Sequence, residues 1–249
     1  RHYPLSKLMI KMMTTKIQLE SNALSAQVRD YILSLIARQK LTVGMPVPSE
    51  MQLTQELGVS KGVVREAYRS LAALGILETK SGKVPRIKAF DSSVLQLIFS
   101  FATVTEQVTS SQILAARRWL EAGCVQMAAL NGDESDFAAL KQEMLLIREE
   151  FSDAERFLQH DLNFHLLLSR ASKNPLFSIL LQALHEQLTH SMRAGLEAQK
   201  DHYEYERGII ALHQRVCDCV CLRDAEGAMK AMDDHFNLAS TALNNLSSL

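Results

Sequence analysis

The sequence predicts a mostly α-helical protein, with an N-terminal winged helix-turn-helix followed by an all-helical bundle of about seven helices. Two short helical segments are joined by a tight turn at Gly58, and almost no strand pattern follows Asp91. The charge also changes sign near residue 90, because residues 14–90 hold 11 basic and 6 acidic side chains, whereas residues 91–249 hold 13 and 22. A basic segment joined to an acidic one indicates two domains, and favours a polyanion as the partner of the first.

Composition places the chain among globular proteins, since 47% of its 249 residues are hydrophobic and 22% are charged. The longest mostly apolar stretch, Val94 to Val104, is about half of the roughly 20 residues that a membrane-spanning helix needs. We therefore expect no membrane partner. The N-terminal RHYPLSKLMIKMM has scattered charges and lacks the continuous apolar core of a signal peptide, which favours a cytoplasmic protein. Residues 1–13 are expected to be an extension or tag, because Met13 opens a stretch that resembles a natural start.

The basic domain, residues 14–90, begins with three predicted helices, over 23–39, Glu50–Leu57 and Lys61–Leu74. Leu41 to Pro48 is rich in glycine and proline, which favours a loop. Ser49 opens a capping box with Gln52, and Ser60 is a good N-cap for the third helix. Gly58 suits the turn between the second and third helices, with Val59 buried after it.

The third helix has two different faces. One is predicted to be buried and carries Val63, Val64, Ala67, Leu71 and Leu74. The other carries Lys61, Arg65 and Arg69. When a helix-turn-helix binds DNA, this face meets the base edges of the major groove and the flanking phosphates. A solvated charged face is the alternative.

Two short strands, Ile76–Lys80 and Lys83–Lys88, are predicted after the third helix, joined by a Ser81-Gly82 turn. They form a wing that carries four basic side chains, Lys80, Lys83, Arg86 and Lys88. This wing and the positive charge of the segment favour DNA binding over a merely solvated face.

The acidic domain, residues 91–249, shows a succession of helical patterns: Ser93–Gln107, Ser111–Leu130, Glu134–Phe151, Ala154–Ala171, Pro175–Gln199, Tyr203–Leu222 and Ala225–Leu246. Asp133, Asp153 and Asn174-Pro175 are suitable caps at three of the breaks. This pattern predicts a helical bundle.

Four polar residues of this domain fall on apolar helix faces. Asp161 and His165 lie one helical turn apart, and His213 and His235 lie on the apolar faces of two later helices. Buried carboxylates and imidazoles are costly unless paired, and one divalent cation would compensate all four. Zinc is the expected ion, with nickel or manganese as alternatives; otherwise a backbone carbonyl could satisfy each histidine separately. The remaining histidines in this domain are expected to be solvated: His160, His185, His190 and His202.

The stretch PSEMQLTQELGVSKGVVREAYRSLAALGIL closely resembles the winged helix-turn-helix of the GntR family of bacterial transcription regulators. By position, the resemblance implies DNA contacts from Ser60, Lys61, Gly62, Arg65 and Gly82, to which the charge of Lys83 adds a sixth. Two positions depart from the family pattern, since Met51 and Lys61 stand where arginine is usual. The departure at Met51 bears on which operator sequence is read, and not on whether the chain binds DNA.

The acidic domain resembles the FCD effector domain of the FadR-like branch of that family. The matching segments are RRWLE from Arg117, DLNFH from Asp161, Asn174-Pro175, HQRV from His213 and AMDDH ending at His235. The resemblance implies that Asp161, His165, His213 and His235 are metal ligands. It also implies a small organic acid, such as a hydroxy acid or a sugar acid, as the inducer. An arginine could hold the acid's carboxylate, with Arg117 as first choice and Arg193 as second; a surface ion pair is the alternative for Arg193.

The predicted function is a ligand-responsive transcription repressor, a homodimer that reads a palindromic operator in double-stranded DNA and is not an enzyme. A metal-dependent hydrolase or lyase that uses the same Asp and His quartet is the alternative. A catalytic zinc usually has three protein ligands, and no general base is evident beside the four, which disfavours the enzyme. A helical scaffold that merely dimerises would leave the inward-facing Asp and His unexplained.

Overall fold

The computed structural model describes residues 24–80, 82–189, 192–193 and 203–246 of the chain. The predictions for residues 1–13, Ser81, His190 and His202 lie outside these residues. The contacts between residues divide the chain into two compact units, one that ends at Val94 and one that begins at Leu95.

The N-terminal unit is a winged helix-turn-helix. Its elements are α1 (residues 24–38), α2 (Glu50–Leu57), α3 (Lys61–Ala73), β1 (Leu77–Glu78) and β2 (Arg86–Ile87). The strands are antiparallel, with Leu77 opposite Ile87, and Pro46 forms an isolated bridge with Arg86. The buried core joins all three helices to the wing: Val28, Ile32, Val47, Leu53, Val63, Val64, Ala67, Tyr68, Leu71 and Leu77.

Local hydrogen bonds set the two ends of the turn between α2 and α3. The side chain of Ser49 accepts from the amide of Gln52, and the Gln52 side chain accepts from the amide of Ser49, so the predicted capping box is confirmed. Gly58 has a φ of 65°, a left-handed conformation that glycine adopts at little cost. Ser60 caps α3 by accepting from the amide of Val63, as predicted.

Two apolar residues of this unit differ from the prediction. Leu74 is 52% exposed rather than buried, because α3 ends at Ala73 and helical periodicity no longer directs the next side chain. Val59 is half-buried rather than fully buried, although it packs against the core. Tyr68 takes up core volume on α3 instead, and its hydroxyl donates to the carbonyl of Pro48.

The C-terminal unit is a helical bundle. Its described helices are α4 (Ser93–Val104), α5 (Ser110–Asn131), α6 (Glu134–Glu149), α7 (Ala154–Ala171), α8 (Pro175–Glu186), α9 (Tyr203–Cys221) and α10 (Ala225–Leu246). The predicted fold, a winged helix-turn-helix followed by a bundle of about seven helices, is therefore confirmed. In the described part of the chain, no helix combines the length and the apolar character needed to span a membrane.

The predicted caps account for three of the seven described helix starts in the bundle. Asp133, Asp153 and Asn174 each accept backbone hydrogen bonds at the start of α6, α7 and α8. The predicted end of α4 was wrong, and the helix predicted over Pro175–Gln199 is interrupted; its predicted end at Gln199 lies outside the described residues. α4 stops at Val104, before Glu106 turns to a φ of 58°. α8 stops at Glu186; residues 189, 192 and 193 are again helical.

Five helices pack around the candidate site. α5 packs against α7, α8 and α10, and α9 packs against α10 and α5. α7 begins where Asp153 accepts from the amides of Glu155 and Arg156, and its buried face then presents Phe157, Asp161, Phe164, His165 and Leu168. Polar side chains on that face are consequently directed into the core.

Candidate metal centre and nucleic-acid interface

The four predicted metal ligands come together in the core of the bundle. α7 supplies Asp161 and His165, α9 supplies His213, and α10 supplies His235. Each offers one ligand atom, and these four atoms all lie within 4.8 Å of one another. Because the residues come from three separate helices, the packing of the bundle brings them together.

Distances within the quartet are short. Nε2 of His213 lies 2.9 Å from Oδ1 of Asp161, and Nε2 of His165 lies 3.8 Å from the same oxygen. The ring centroids of His213 and His235 are 4.5 Å apart, and those of His165 and His235 are 5.1 Å apart. All four side chains are buried, with exposures between 0 and 6%.

The proton positions leave lone pairs directed at a common point. Nδ1 of His213 lies 2.8 Å from the carbonyl oxygen of Ile209, which can only accept, so the proton of a neutral ring lies on Nδ1. Nε2 of His213 then faces Oδ1 of Asp161 as acceptor against acceptor. A cation between them would satisfy both atoms. Nδ1 of His165 similarly contacts Oε2 of Glu121, which leaves Nε2 of His165 for a metal.

Several atoms of the quartet have no hydrogen-bond partner among the described residues. They are Oδ2 of Asp161, Nε2 of His165 and both ring nitrogens of His235. Buried polar atoms are nearly always paired, so this cluster of unpaired polar atoms in the core favours a bound ligand. One divalent ion suits a set of one carboxylate oxygen and three imidazole nitrogens.

The electrostatics of the site favour a cation. Burial alone would raise the pKa of Asp161, but the contact with His213 and the positive charge that the surrounding imidazoles carry when protonated lower it well below its usual range, so this pocket holds the carboxylate ionised when positive charge is beside it. Burial and the charges of His213 and His165 lower the pKa of His235, so this ring is neutral. An ionised carboxylate beside a neutral imidazole is the state of these groups that binds a metal.

Arg117 lies next to this centre. It is 2% exposed, and its Nε and Nη2 donate to Oε1 of Glu121 at 2.9 and 2.8 Å. Glu121 in turn contacts Nδ1 of His165 through its other oxygen. Burial alone would raise the pKa of Glu121, but the charges of His165 and Arg117 hold it well below its usual range. Arg117 is thus linked to a candidate metal ligand through one carboxylate.

Sequence reasoning missed Glu121, which ends the RRWLE segment. The sequence pattern that could have revealed it is the Arg-x-x-x-Glu spacing of Arg117 and Glu121, which lies on the buried face of α5 between Leu114 and Cys124. On a helix such a pair is one turn apart, so each side chain can reach the other.

Arg193, the second candidate for holding the carboxylate, lies at the surface of the bundle. Its side chain is 39% exposed, and Nη2 donates to Oε2 of Glu155 at 2.5 Å. This is the surface ion pair that was the alternative for Arg193.

Two polar residues beside the quartet were also missed. His185 was predicted to be solvated, but it is 4% exposed because α8 packs against both α7 and α5. Tyr205 is half-buried on α9, and burial together with the negative charge of Asp161 raises its pKa to about 12. His160 is half-buried as well, with Nδ1 2.6 Å from Oε1 of Glu143 on the neighbouring helix α6.

The candidate DNA contacts lie on α3 and the wing. Ser60, Lys61 and Gly62 form the cap and first turn of α3, and all three are exposed. Arg65 follows in the next turn and lines a cleft of about 700 Å³ between α3 and the wing. Gly82 and Lys83 line the opposite wall of this cleft, together with Lys80.

The cleft is basic and open. Arg69 and Met51 also line it, and Met51 is 60% exposed. Within the described residues no carboxylate lies at ion-pair distance from Lys61, Arg69 or Lys83, whereas Nη2 of Arg65 lies 3.2 Å from Oε2 of Glu50. Nζ of Lys80 likewise lies 2.7 Å from Oε1 of Glu78. The structure therefore brings Arg65, Gly82 and Lys83 to one surface, where Arg69 and Lys83 have no ion-pair partner among the described residues.

Both units match known protein families. Residues 24–86 match the family described as bacterial regulatory proteins of the gntR family, and residues 112–238 match the FCD domain. A winged helix-turn-helix joined to a helical sensor domain defines a class of transcription regulators. The chain belongs to the GntR family and carries an FCD domain, as the resemblance in the sequence predicted.

Curated relatives cover most of the chain. The "Glc operon transcriptional activator" of Escherichia coli strain K12 is 29% identical over 228 residues, which are 88% of each chain. The "Putative L-lactate dehydrogenase operon regulatory protein" of the same strain is 28% identical over 88% of this chain and 86% of its own. Among solved structures, "Streptococcus agalactiae GntR" has a TM-score of 0.64 and 23% identity, covering 86% of this chain and 97% of its own. That structure supports the fold.

Proposed function

We propose that this GntR-family regulator is a metabolite-responsive repressor, which binds a palindromic operator as a homodimer and senses a small organic acid through a buried divalent metal. The observation that carries the proposal is the convergence of Asp161, His165, His213 and His235 with unpaired lone pairs. Zinc is the expected ion, with nickel or manganese as alternatives. When bound, the metal supplies a positive charge and open coordination positions that a carboxylate oxygen can occupy.

The charge balance of the centre supports an anionic effector. In the state that binds a metal the imidazoles are neutral, so Asp161 and Glu121 carry one negative charge each, Arg117 carries one positive charge, and the centre sums to minus one. A divalent ion changes the sum to plus one, which a single carboxylate neutralises. Arg117 is the residue that we propose to orient this carboxylate, since its guanidinium is buried beside the metal ligands and is already held by Glu121. The exposed ion pair of Arg193 makes it the weaker candidate.

The names of the relatives support a metabolite as the signal. One relative is named for an L-lactate dehydrogenase operon, and L-lactate is a 2-hydroxy acid. Both relatives described above are named as regulators, which supports regulation rather than turnover as the role of the quartet here. Turnover of L-lactate or glycolate that His213→Ala abolished would contradict this proposal and favour a hydrolase or lyase.

The DNA-binding part of the proposal rests on the basic cleft of α3 and the wing. The zinc-loaded full chain is expected to bind DNA from upstream of its own gene in a salt-sensitive way, because each basic side chain at a phosphate releases counterions. Adding an effector acid should change the midpoint of this binding curve. Fluorescence anisotropy between 50 and 200 mM salt measures both effects. Binding no tighter than that to unrelated DNA, at every salt concentration, would contradict the proposal.

Arg65→Ala should weaken operator binding by about 1–3 kcal/mol if Arg65 contacts a base, or lower the salt slope by about 1 if it contacts a phosphate. The reason is that Arg65 is exposed in the cleft opposite Gly82 and Lys83. Arg156→Ala is the matched control, since Arg156 is also an exposed arginine paired with a glutamate, but in the C-terminal unit. If the two variants bound the operator equally well, Arg65 would not be a DNA-contacting residue.

A further inference from the structure

His185 is a buried histidine that has no role in the function proposed above. Its side chain lies on α8 and is 4% exposed, and Nδ1 has no hydrogen-bond partner among the described residues. An unpaired buried nitrogen of this kind costs free energy that a ligand could recover. His185 is not one of the four residues whose ligand atoms converge.

The surroundings of His185 are those of the metal centre. α8 packs against α5, which carries Arg117 and Glu121, and against α7, which carries Asp161 and His165. The charges of all four residues act on the imidazole. Burial and the positive charge of Arg117 lower the pKa of His185 to about 4, so the ring is neutral near pH 7.

A neutral imidazole differs from the other polar groups of the centre in what it can recognise. Arg117 and a metal ion both attract a carboxylate, and one carboxylate already balances their charge. A second carboxylate would restore an uncompensated negative charge in the core. A neutral imidazole offers one donor and one acceptor, and a hydroxyl group can pair with either.

We propose that His185 hydrogen-bonds the hydroxyl group of a 2-hydroxy acid whose carboxylate lies at the metal and Arg117. This inference rests on the proposed function and names the residue that recognises the hydroxyl group of such an acid. His185 is then the residue that selects a 2-hydroxy acid over the same acid without its hydroxyl group, while the four converging residues hold the ion.

The test uses two pairs of probe acids, glycolate with acetate and L-lactate with propionate. Isothermal titration calorimetry of the zinc-loaded full chain should show tighter binding of the hydroxy acid in each pair. His185→Phe should reduce this preference by about five- to tenfold, the value of one hydrogen bond, and leave acetate binding unchanged. His185→Asn should retain part of the preference, because the asparagine side chain places a polar atom near the position of Nδ1.

A measurement on the unmutated chain avoids any folding defect of the variants. In zinc-loaded protein with ¹⁵N-labelled histidine, glycolate should shift the ring-nitrogen resonance of His185, and acetate should shift it much less. A hydroxy acid that binds without this shift, or that binds His185→Phe with the wild-type preference, overturns the role of His185 and leaves the sensor intact. Failure of the wild type to bind any of the four acids overturns the proposed sensor, and this inference with it.

Discussion

Removing the divalent ion should lower the thermal midpoint of the full chain by roughly 5–15 °C. A ligand present at about 100 to 1,000 times its dissociation constant stabilises the folded state by about 2.7–4.1 kcal/mol, and each kcal/mol moves the midpoint by about 2–4 °C at this chain length. The physical reason is that Asp161 and His235 have buried atoms without partners when no ion is bound. Circular dichroism melts with zinc and with a chelator measure the difference.

Variants separate binding at the quartet from zinc binding elsewhere. His235→Ala should lose most of the zinc-dependent shift, because His235 is one of the four converging residues. His160→Gln is the control, since His160 contacts Glu143 and lies outside the quartet, and it should keep the shift. If His235→Ala kept the wild-type shift, the zinc would be bound at another place in the chain.

Arg117→Met should reduce the free energy of unfolding by about 3–5 kcal/mol, the usual cost of removing one partner from a buried ion pair. Glu121 is 1% exposed, and after this substitution its carboxylate would keep only the contact with His165. Urea denaturation of zinc-loaded protein measures the change. Adding Glu121→Gln to Arg117→Met should recover part of the loss, because it removes the uncompensated charge.

Arg193→Met is the matched control for Arg117→Met. Arg193 is also paired with a glutamate, Glu155, but at a side-chain exposure of 39%. Ion pairs in contact with water contribute less than about 1 kcal/mol, so this variant should be nearly as stable as the wild type. Equal losses in the two variants would show that the pair of Arg117 and Glu121 is not held in the core as described.

Much of the N-terminal unit follows from short-range rules that a sequence displays directly. The capping box at Ser49, the left-handed Gly58 and the N-cap Ser60 lie within 12 residues of one another, and each depends on hydrogen bonds or backbone angles of near neighbours. Leu74 shows where such rules stop, because its burial depended on whether α3 continued for one more residue.

The candidate metal centre was predictable for a related reason. Helical periodicity put Asp161, His165, His213 and His235 on apolar faces, and a polar residue on such a face is conspicuous. Periodicity says that these side chains point inward. It does not say that three helices turn them toward one point, with ligand atoms within 4.8 Å.

The amino-acid sequence by itself therefore determines the helices, their caps and the sign of the charge on each unit. It also determines which helix faces point inward, including those that carry the Asp and His residues of the quartet. Tertiary packing decides which inward residues meet: it joins Arg117 to His165 through Glu121, leaves Arg193 at the surface, and buries His185 beside the centre. The physical reason is range. Capping and periodicity act over a few neighbouring residues, whereas burial, pairing and pKa depend on which helices pack together.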